Sequence, residues 1–581
     1  MPEARRNSTV PDARSAAPDE PAAPDGPGSP EVGSGLLCEL DEDGERRGQP
    51  VPADDLVAAI AERELAGHVR WVWQAAVGLY PALARAGARV ARCHDVALAE
   101  ALLRARDGAD PAADDASAQQ PRLRPAGQPT LFEPDLFEPT QPGPRREPSQ
   151  MLDALIQAHA DQLRRIAADP DPVRFALLVA AESAGALASA EMSLTGLPWR
   201  SDVHDALLTE QLGPRPAGAA ARPPKLAELA RQISAAFGAG GDGGPGPHRA
   251  RAATPVNPDS PAQLLKAFAA DGIRLSSTRL AVLRDVDHPA VAPLLEYKEL
   301  ARLHSAFGWS WLDAWVSGGR FRPEYVVGGV VSGRWASRGG GALQIPRLLR
   351  RAVVAEPGWV LVVADAAQLE PRVLAALAGD RAFATAAAAG DLYAELAGAF
   401  GGDRAKAKVA LLSAMYGGAG GEAGQLLAVL RRRFPAAAGY VEAAARAGEE
   451  GRVVRSVLGR TCPPPTAAWR ALTADAVGPA TRARGRFTRN FVVQASAADW
   501  ALVMLVSLRA RLWQIKSQNG PSELVFFQHD EVVVHCPAEA AGAVSAALTV
   551  AAEEATRLVF GPTQVAFPLN VAVVGCYADA K

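Results

Sequence analysis

Cysteine is scarce and scattered. The five in 581 residues (Cys38, Cys93, Cys462, Cys536, Cys576) form no C-x-x-C pair, so neither a zinc site nor a disulfide framework is indicated, and a reducing cytoplasm is the expected compartment. An apolar leader is missing from MPEARRNSTVPDARSAAPDE, and no later stretch offers about 18 uninterrupted apolar residues for a membrane span. A soluble, intracellular protein with no membrane partner is expected. Charge of one sign is lacking too: Lys+Arg 61 against Asp+Glu 64 gives a net −3, so any nucleic-acid site must be a local basic surface. The basic residues are overwhelmingly Arg, which fits bidentate phosphate contacts but also the codon usage of a GC-rich genome. No fixed-period repeat is present, which speaks against a solenoid.

The length is about four domains' worth, and 53 Gly and 46 Pro imply long linkers. Residues 1–30 have almost nothing to bury and read as a disordered tail; 106–150 read as a Pro-rich linker containing Leu-Phe-Glu-Pro twice, at 131–134 and 136–139. Between them, VRWVW (69–73) and ARVARC (88–93) predict short strands around helices at LYPALARAG and HDVALAEALLRA. Helical periodicity dominates from 151 to about 235, broken at Gly196-Leu-Pro198, and resumes from about 260 to 316; strands and helices alternate beyond 320.

Three constellations carry chemistry. The apolar run WVLVVAD ends in Asp365, a common position for a metal ligand, and is followed by Gln368, Glu370, Pro371 and Arg372 opening a helix; Glu370 could equally be an ordinary helix N-terminal charge. ELVFFQHDEVVVHC predicts a hairpin presenting Asp530 and Glu531 at its tip, where acids from separate strands can together hold two Mg²⁺ ions; a solvated turn is the plainer alternative. Arg404, Lys408, Leu412 and Tyr416 recur every four residues along one helical stripe, able to hold a triphosphate and then a base, or simply to form an exposed basic helix end.

Together, in this order, the three segments resemble motifs A, B and C of family A (DNA polymerase I type) DNA polymerases: D-x-x-Q-x-E-x-R at Asp365, R-x-x-x-K with a closing Y-G at Arg404 to Gly417, and H-D-E at His529-Asp530-Glu531. Smaller segments agree: SGRWASRGGGALQIPR (332–347) resembles T-G-R-L-S-S…L-Q-N-I-P, GDLYAEL (390–396) the D-I-H segment, and RFTRNFVVQASAADW (486–500) R-x-x-x-N-x-x-x-Q-G-T-A-A-D. The resemblance covers about 250–581. It implies an α/β multidomain chain with a right-hand fold: thumb 201–290, palm 291–385 and 471–581, fingers 386–470, behind a degenerate RNase H-like 3′–5′ exonuclease-type domain at 31–105 and 151–200.

The same resemblance implies roles. Asp365 and Asp530 would hold two Mg²⁺, with Glu531 a supporting acid; Arg404 and Lys408 would bind the incoming triphosphate beside Gln368, Leu412 and Tyr416; Glu370 with Tyr416 would exclude a ribose 2′-hydroxyl. Arg334, Gln344, Arg486, Asn490, Gln494 and His529 would contact primer–template DNA. The partners are then DNA and dNTPs, in a monomeric, nucleoid-associated bacterial enzyme. The pattern departs from the family at Leu412, where an aromatic is usual, and at Ala366, Ala367 and Pro371.

The N-terminal region lacks the D-x-E and Y-x-x-x-D that a working exonuclease needs for its metals; ELDED at 39–43 offers only D-x-D near a turn, so a platform without proofreading is expected. In the linker, Gln128-Pro-Thr-Leu131-Phe132 resembles the Q-x-x-L-F peptide by which bacterial replication proteins dock on the sliding clamp. From another class, the rival is a catalytically weak primer–template-binding protein on the same fold, and a single-subunit RNA polymerase is disfavoured by Glu370.

Overall fold

In the computed structural model the described residues are 34–67, 69–108, 147–218, 221–239, 255–338, 340–388, 391–398, 401–417, 428–473 and 478–580. The 1–30 tail, most of the 106–150 linker and the Gln128, Leu131 and Phe132 peptide lie outside them.

A four-stranded antiparallel sheet anchors the molecule, in the order Glu523–Gln528, Glu531–Pro537, Trp359–Ala366, Leu569–Val574. Its central strands are Val-rich and buried on both faces, so they read as continuous apolar runs. Behind it runs the helix Pro479–Leu512, opened by Pro at its first position and about 50 Å long at 1.5 Å per residue. This helix and Pro172–Thr195 are, among the described residues, long and apolar enough to cross a membrane, yet 83% and 67% of their apolar windows are buried inside the fold. They are core helices.

The helices Ser201–Leu212, Pro224–Ala239, Pro261–Ala270 and Val291–Phe307 share a separate core of Leu208, Leu229, Phe268, Leu294 and Tyr297. Val291–Phe307 packs mainly with the helical unit, and its last residue, Phe307, shares the core of the sheet residues Leu361, Val363 and Phe526.

The N-terminal region differs from expectation in two ways. ARVARC is not a strand through its length: only Cys93–Asp95 pairs, parallel to Trp71–Trp73. Residues just before it spend their backbone groups on side chains instead, Val90 and Ala91 carbonyls accepting from Arg509 and Ala91 N–H donating to Glu64. Second, Pro172–Thr195 is not confined to the N-terminal unit. Its 13 buried residues face Tyr80 and Leu83 on one side and the palm helix and sheet on the other, making it a wall common to both. Arg509 clamps that wall from the palm side, donating to Glu191 at 2.7 Å and stacking 4.2 Å over Trp513.

Among the described residues the N-terminal strands form one antiparallel and one parallel pair, no larger sheet. Asp41 lies in the hairpin turn, its Oδ1 accepting Asp43 and Glu45 N–H, and Asp95 caps two helices by accepting Ala76 and Leu98 N–H. Both carboxylates are committed to backbone.

Candidate active site

Strand register brings the acids of the two strand-end motifs to one end of the sheet. Asp365 pairs with Glu531 across one neighbour and with Asn570 across the other, and Ala366 N–H donates to the Asp530 carbonyl at 3.0 Å. Asp365 and Asp530 are half-buried there. Glu531 is turned inward: it accepts the Tyr577 hydroxyl, lies 3.8 Å from Arg350, and is 6% exposed, while Arg350 stacks 4.5 Å from the Tyr577 ring centroid. Burial, then the Glu531 charge, pushes the Tyr577 phenol well above its usual range and keeps it a donor.

The backbone is bent beside both motifs. Gln368 (φ 54°) and His529 (φ 60°) are the only non-glycine residues with positive φ among those described, one just after Asp365 and the other just before Asp530. Such conformations cost of order 1–3 kcal/mol and persist where the surroundings fix them. Gln368 is fixed by donating to Asp391 Oδ1 at 2.8 Å and accepting Leu392 N–H at 3.1 Å. Pro371 falls in the first turn of Leu369–Ala378, where a missing N–H is harmless, and buried Arg372 ties the turn to the Ala367 and Ala566 carbonyls.

Glu370 links two other elements. One oxygen accepts Arg334 Nη2 at 2.6 Å, from the hairpin loop between Glu324–Val326 and Ala336–Arg338; the other accepts the Tyr416 hydroxyl. Burial, then the charge of Glu370, raises the Tyr416 phenol, and Gln494 of the long helix hydrogen-bonds the same side chain. Tyr416 follows the helix Arg404–Met415, on which Arg404 and Lys408 are exposed and Leu412 half-buried. Arg404 pairs with Asp391, and Arg404 and Lys408 stand 5.6 and 6.0 Å over the Tyr393 ring. Gly417 (φ 84°) must be glycine, since a β-carbon would fall 2.7 Å from Arg486 Cγ.

Of the remaining expected DNA contacts, Asn490 Oδ1 is buried without a hydrogen-bond partner, His529 is exposed at the hairpin tip, and Gln344 is exposed on the turn Ala342–Gln344. Gln528 Nε2 holds that turn to the sheet through the Leu343 carbonyl at 2.6 Å. Sequence reasoning missed Arg350, Asp391, Tyr393 and Tyr577 as site residues. Asp391 and Tyr393 did lie in a segment that the sequence singled out, GDLYAEL, whose resemblance is to D-I-H; Arg350 and Tyr577 left no signal.

Among the described residues no three His, Cys, Asp or Glu side chains form a metal cage. Two half-buried aspartates at a sheet end fit a different donor set, in which one or two carboxylates hold a divalent cation and phosphate oxygens and water complete its shell.

A profile of DNA polymerase family A matches residues 248–575, more than half of the chain. The chain is 28% identical over 330 residues to the thermostable DNA polymerase I of Thermus aquaticus, covering 51% of this chain and 37% of that one. It is 27% identical over 284 residues to DNA polymerase I of Chloroflexus aurantiacus, covering 43% and 28%. Among solved structures, the POL domain of Pol1 from M. smegmatis in complex with DNA primer-template and dNTP superposes with a TM-score of 0.59 over 74% of this chain and 75% of that one, at 21% identity, which shows the common fold. The chain belongs to DNA polymerase family A, whose members use divalent metal ions. The matches span little more than a third of the length of these curated relatives, or less.

Proposed function

We propose that the chain is a template-directed DNA polymerase that adds dNTPs to a primer 3′-hydroxyl, serving repair or gap filling. One observation carries this: Asp365 and Asp530 share a sheet end, and Tyr393, beneath Arg404 and Lys408, lies within reach of the charges of both Asp530 and Glu370. Asp365 and Asp530 would hold two Mg²⁺, which when bound activate the attacking hydroxyl and neutralise the leaving phosphate. Glu531, gripped by Tyr577, supports the strand that positions Asp530. Arg404 and Lys408 bind the triphosphate and stabilise charge developing on it. Glu370 and Tyr416 close the space a 2′-hydroxyl would need, which favours deoxynucleotides and speaks against an RNA polymerase. Arg334, Gln344, Arg486, Asn490, Gln494 and His529 line the primer–template path, and phosphate contacts there set register.

The N-terminal unit serves as a platform without proofreading, since Asp41 and Asp95 are spent on backbone. We place the enzyme in the bacterial cytoplasm, at the nucleoid, as a monomer. Gln128, Leu131 and Phe132 dock on the sliding clamp; replacing Leu131 and Phe132 by Ala should abolish clamp-stimulated synthesis and spare distributive synthesis.

The decisive experiment is extension of a labelled primer–template with Mg²⁺ and dNTPs, beside Asp530→Ala and a lane without nucleotide. Extension lost in the variant supports the proposal. No extension with any metal, together with tight primer–template binding, would favour a DNA-binding scaffold instead. Primer shortening without nucleotide, abolished by an N-terminal carboxylate variant, would overturn the platform assignment.

A further inference from the structure

The two oxygens of Asp391 have separate partners. Oδ1 accepts Tyr393 N–H at 3.0 Å and Ala394 N–H at 3.3 Å, capping Leu392–Ala397, and accepts Gln368 Nε2 at 2.8 Å. Among the described residues Oδ2 takes Arg404 Nε alone. Arg404 is thereby pinned between a carboxylate and the Tyr393 ring, although its side chain is 56% exposed at the cleft. Lys408, one turn along, has no carboxylate partner among the described residues.

We propose that Asp391 is a latch: it occupies Arg404 in the nucleotide-free enzyme, and the incoming triphosphate binds by displacing it. This rests on Arg404 being a triphosphate ligand, as proposed above. Two anions compete for one guanidinium, so the fraction of Arg404 held by Asp391 is subtracted from apparent nucleotide affinity. The triphosphate prevails because it presents several charged oxygens and Lys408 joins in gripping it, neither of which Asp391 can match. Released, Asp391 still caps its helix and holds Gln368 through Oδ1, so unlatching leaves the turn after Asp365 intact. Asp391 acts through Arg404 and is a positioning residue.

Asp391→Asn isolates the latch, because the amide keeps an oxygen for the cap and for Gln368 and loses the charge on Arg404. The measurement is dATP affinity on a primer–template whose primer ends in a dideoxynucleotide, so that chemistry cannot intervene. The expected result is binding about three-fold tighter than wild type, the scale of an exposed ion pair. A lost structural contact would weaken binding instead. In an Arg404→Gln background the gain should vanish; a gain that persists there would mean plain repulsion between Asp391 and phosphate and would overturn the latch, as would unchanged or weaker binding in Asp391→Asn alone. Where Arg404→Gln binds too weakly to measure, phenylglyoxal modification of Arg404, followed by peptide mass spectrometry without nucleotide, decides: faster modification in Asp391→Asn supports the latch, and equal rates sink it. Wild-type enzyme that binds no dATP at all would instead remove the proposed function, and the latch with it.

Discussion

Tyr416 and Glu370 stand 46 residues apart in sequence and meet through one hydrogen bond, the Tyr416 hydroxyl donating to the Glu370 oxygen that Arg334 leaves open. The bond ties together two elements, the helix opening after Asp365 and the segment that follows the helix bearing Arg404, which the proposed function sets on opposite sides of the nucleotide. On the proposed function their closure is steric, and the pair would filter sugars by shape while the triphosphate is held elsewhere.

Glu370→Ala should therefore open the sugar pocket. The ratio of kcat/KM for dATP over ATP is expected to fall by at least about ten-fold, the scale of a shape filter. Tyr416→Phe, which keeps the ring and loses the bond, should lower the ratio less. Single-nucleotide incorporation with both substrates checks this, and an unchanged ratio in Glu370→Ala would assign selectivity to other residues.

A buried charge cluster makes a second prediction. Arg460 donates through Nε to Asp499 at 3.0 Å and through Nη2 to Glu182, joining the wall helix Pro172–Thr195 to the long helix Pro479–Leu512. Gly333 (φ 83°) lies against it so closely that a β-carbon would fall 2.4 Å from Arg460 Nε. Arg460→Met leaves two carboxylates facing one another without a cation and should cost about 3–5 kcal/mol, read from the urea midpoint. Adding Glu182→Leu and Asp499→Leu should recover most of it. A single variant as stable as wild type would show the cluster to be dispensable.

What could be read from sequence followed from local pattern. Asp365 and Asp530 stood out because each interrupts or ends a Val-rich run, and Arg404, Lys408 and Tyr416 because helical spacing puts them on one stripe. What could not be read depended on distance in the chain. Glu531 looks like an acid at a hairpin tip until Tyr577, 46 residues later, folds beneath it. Pro172–Thr195 is apolar around most of its circumference, and sequence alone cannot say that the second face it buries belongs to the palm. Arg509 meets Glu191 across 318 residues, with nothing local to mark it.

His204 gives a pH dependence with a definite sign. Its Nδ1 accepts Trp199 Nε1–H at 3.2 Å and its Nε2 faces the Phe307 carbonyl at 2.9 Å, so the neutral ring satisfies both neighbours. Burial lowers its pKa from 6.5 to about 4, the Phe307 contact offsetting only part. At pH 5 the unfolded chain binds a proton that the native state refuses. The stabilisation is thus complete above pH 6.5 and lost as pH falls toward 4, by up to about 3 kcal/mol. His204→Gln can keep both contacts and cannot titrate, so its urea midpoint should vary less between pH 7 and 5. His159, also lowered to about 4, leaves a residual slope in that variant. Identical slopes in wild type and variant would show that His204 does not carry the effect.

Leu412 poses the question of how the incoming base is held. It lies on the stripe of Arg404 and Lys408, its carbonyl accepts Tyr416 N–H at 2.9 Å, and on the proposed function its half-buried side chain would offer the base an aliphatic face where the family usually has an aromatic one. An aromatic ring stacked on a base contributes about 1–3 kcal/mol, and the lower end of that range is about five-fold in affinity. Leu412→Phe should therefore lower the KM for each of the four dNTPs by roughly that factor, with a smaller change in kcat, because stacking is tolerant of base identity and is present before the bond forms. Steady-state extension with each dNTP, beside dATP binding on a dideoxy-terminated primer, separates the two quantities. Equal affinity in both proteins would mean that the base does not rest on this face of the helix, and that the aliphatic side chain is a packing residue of the fingers alone.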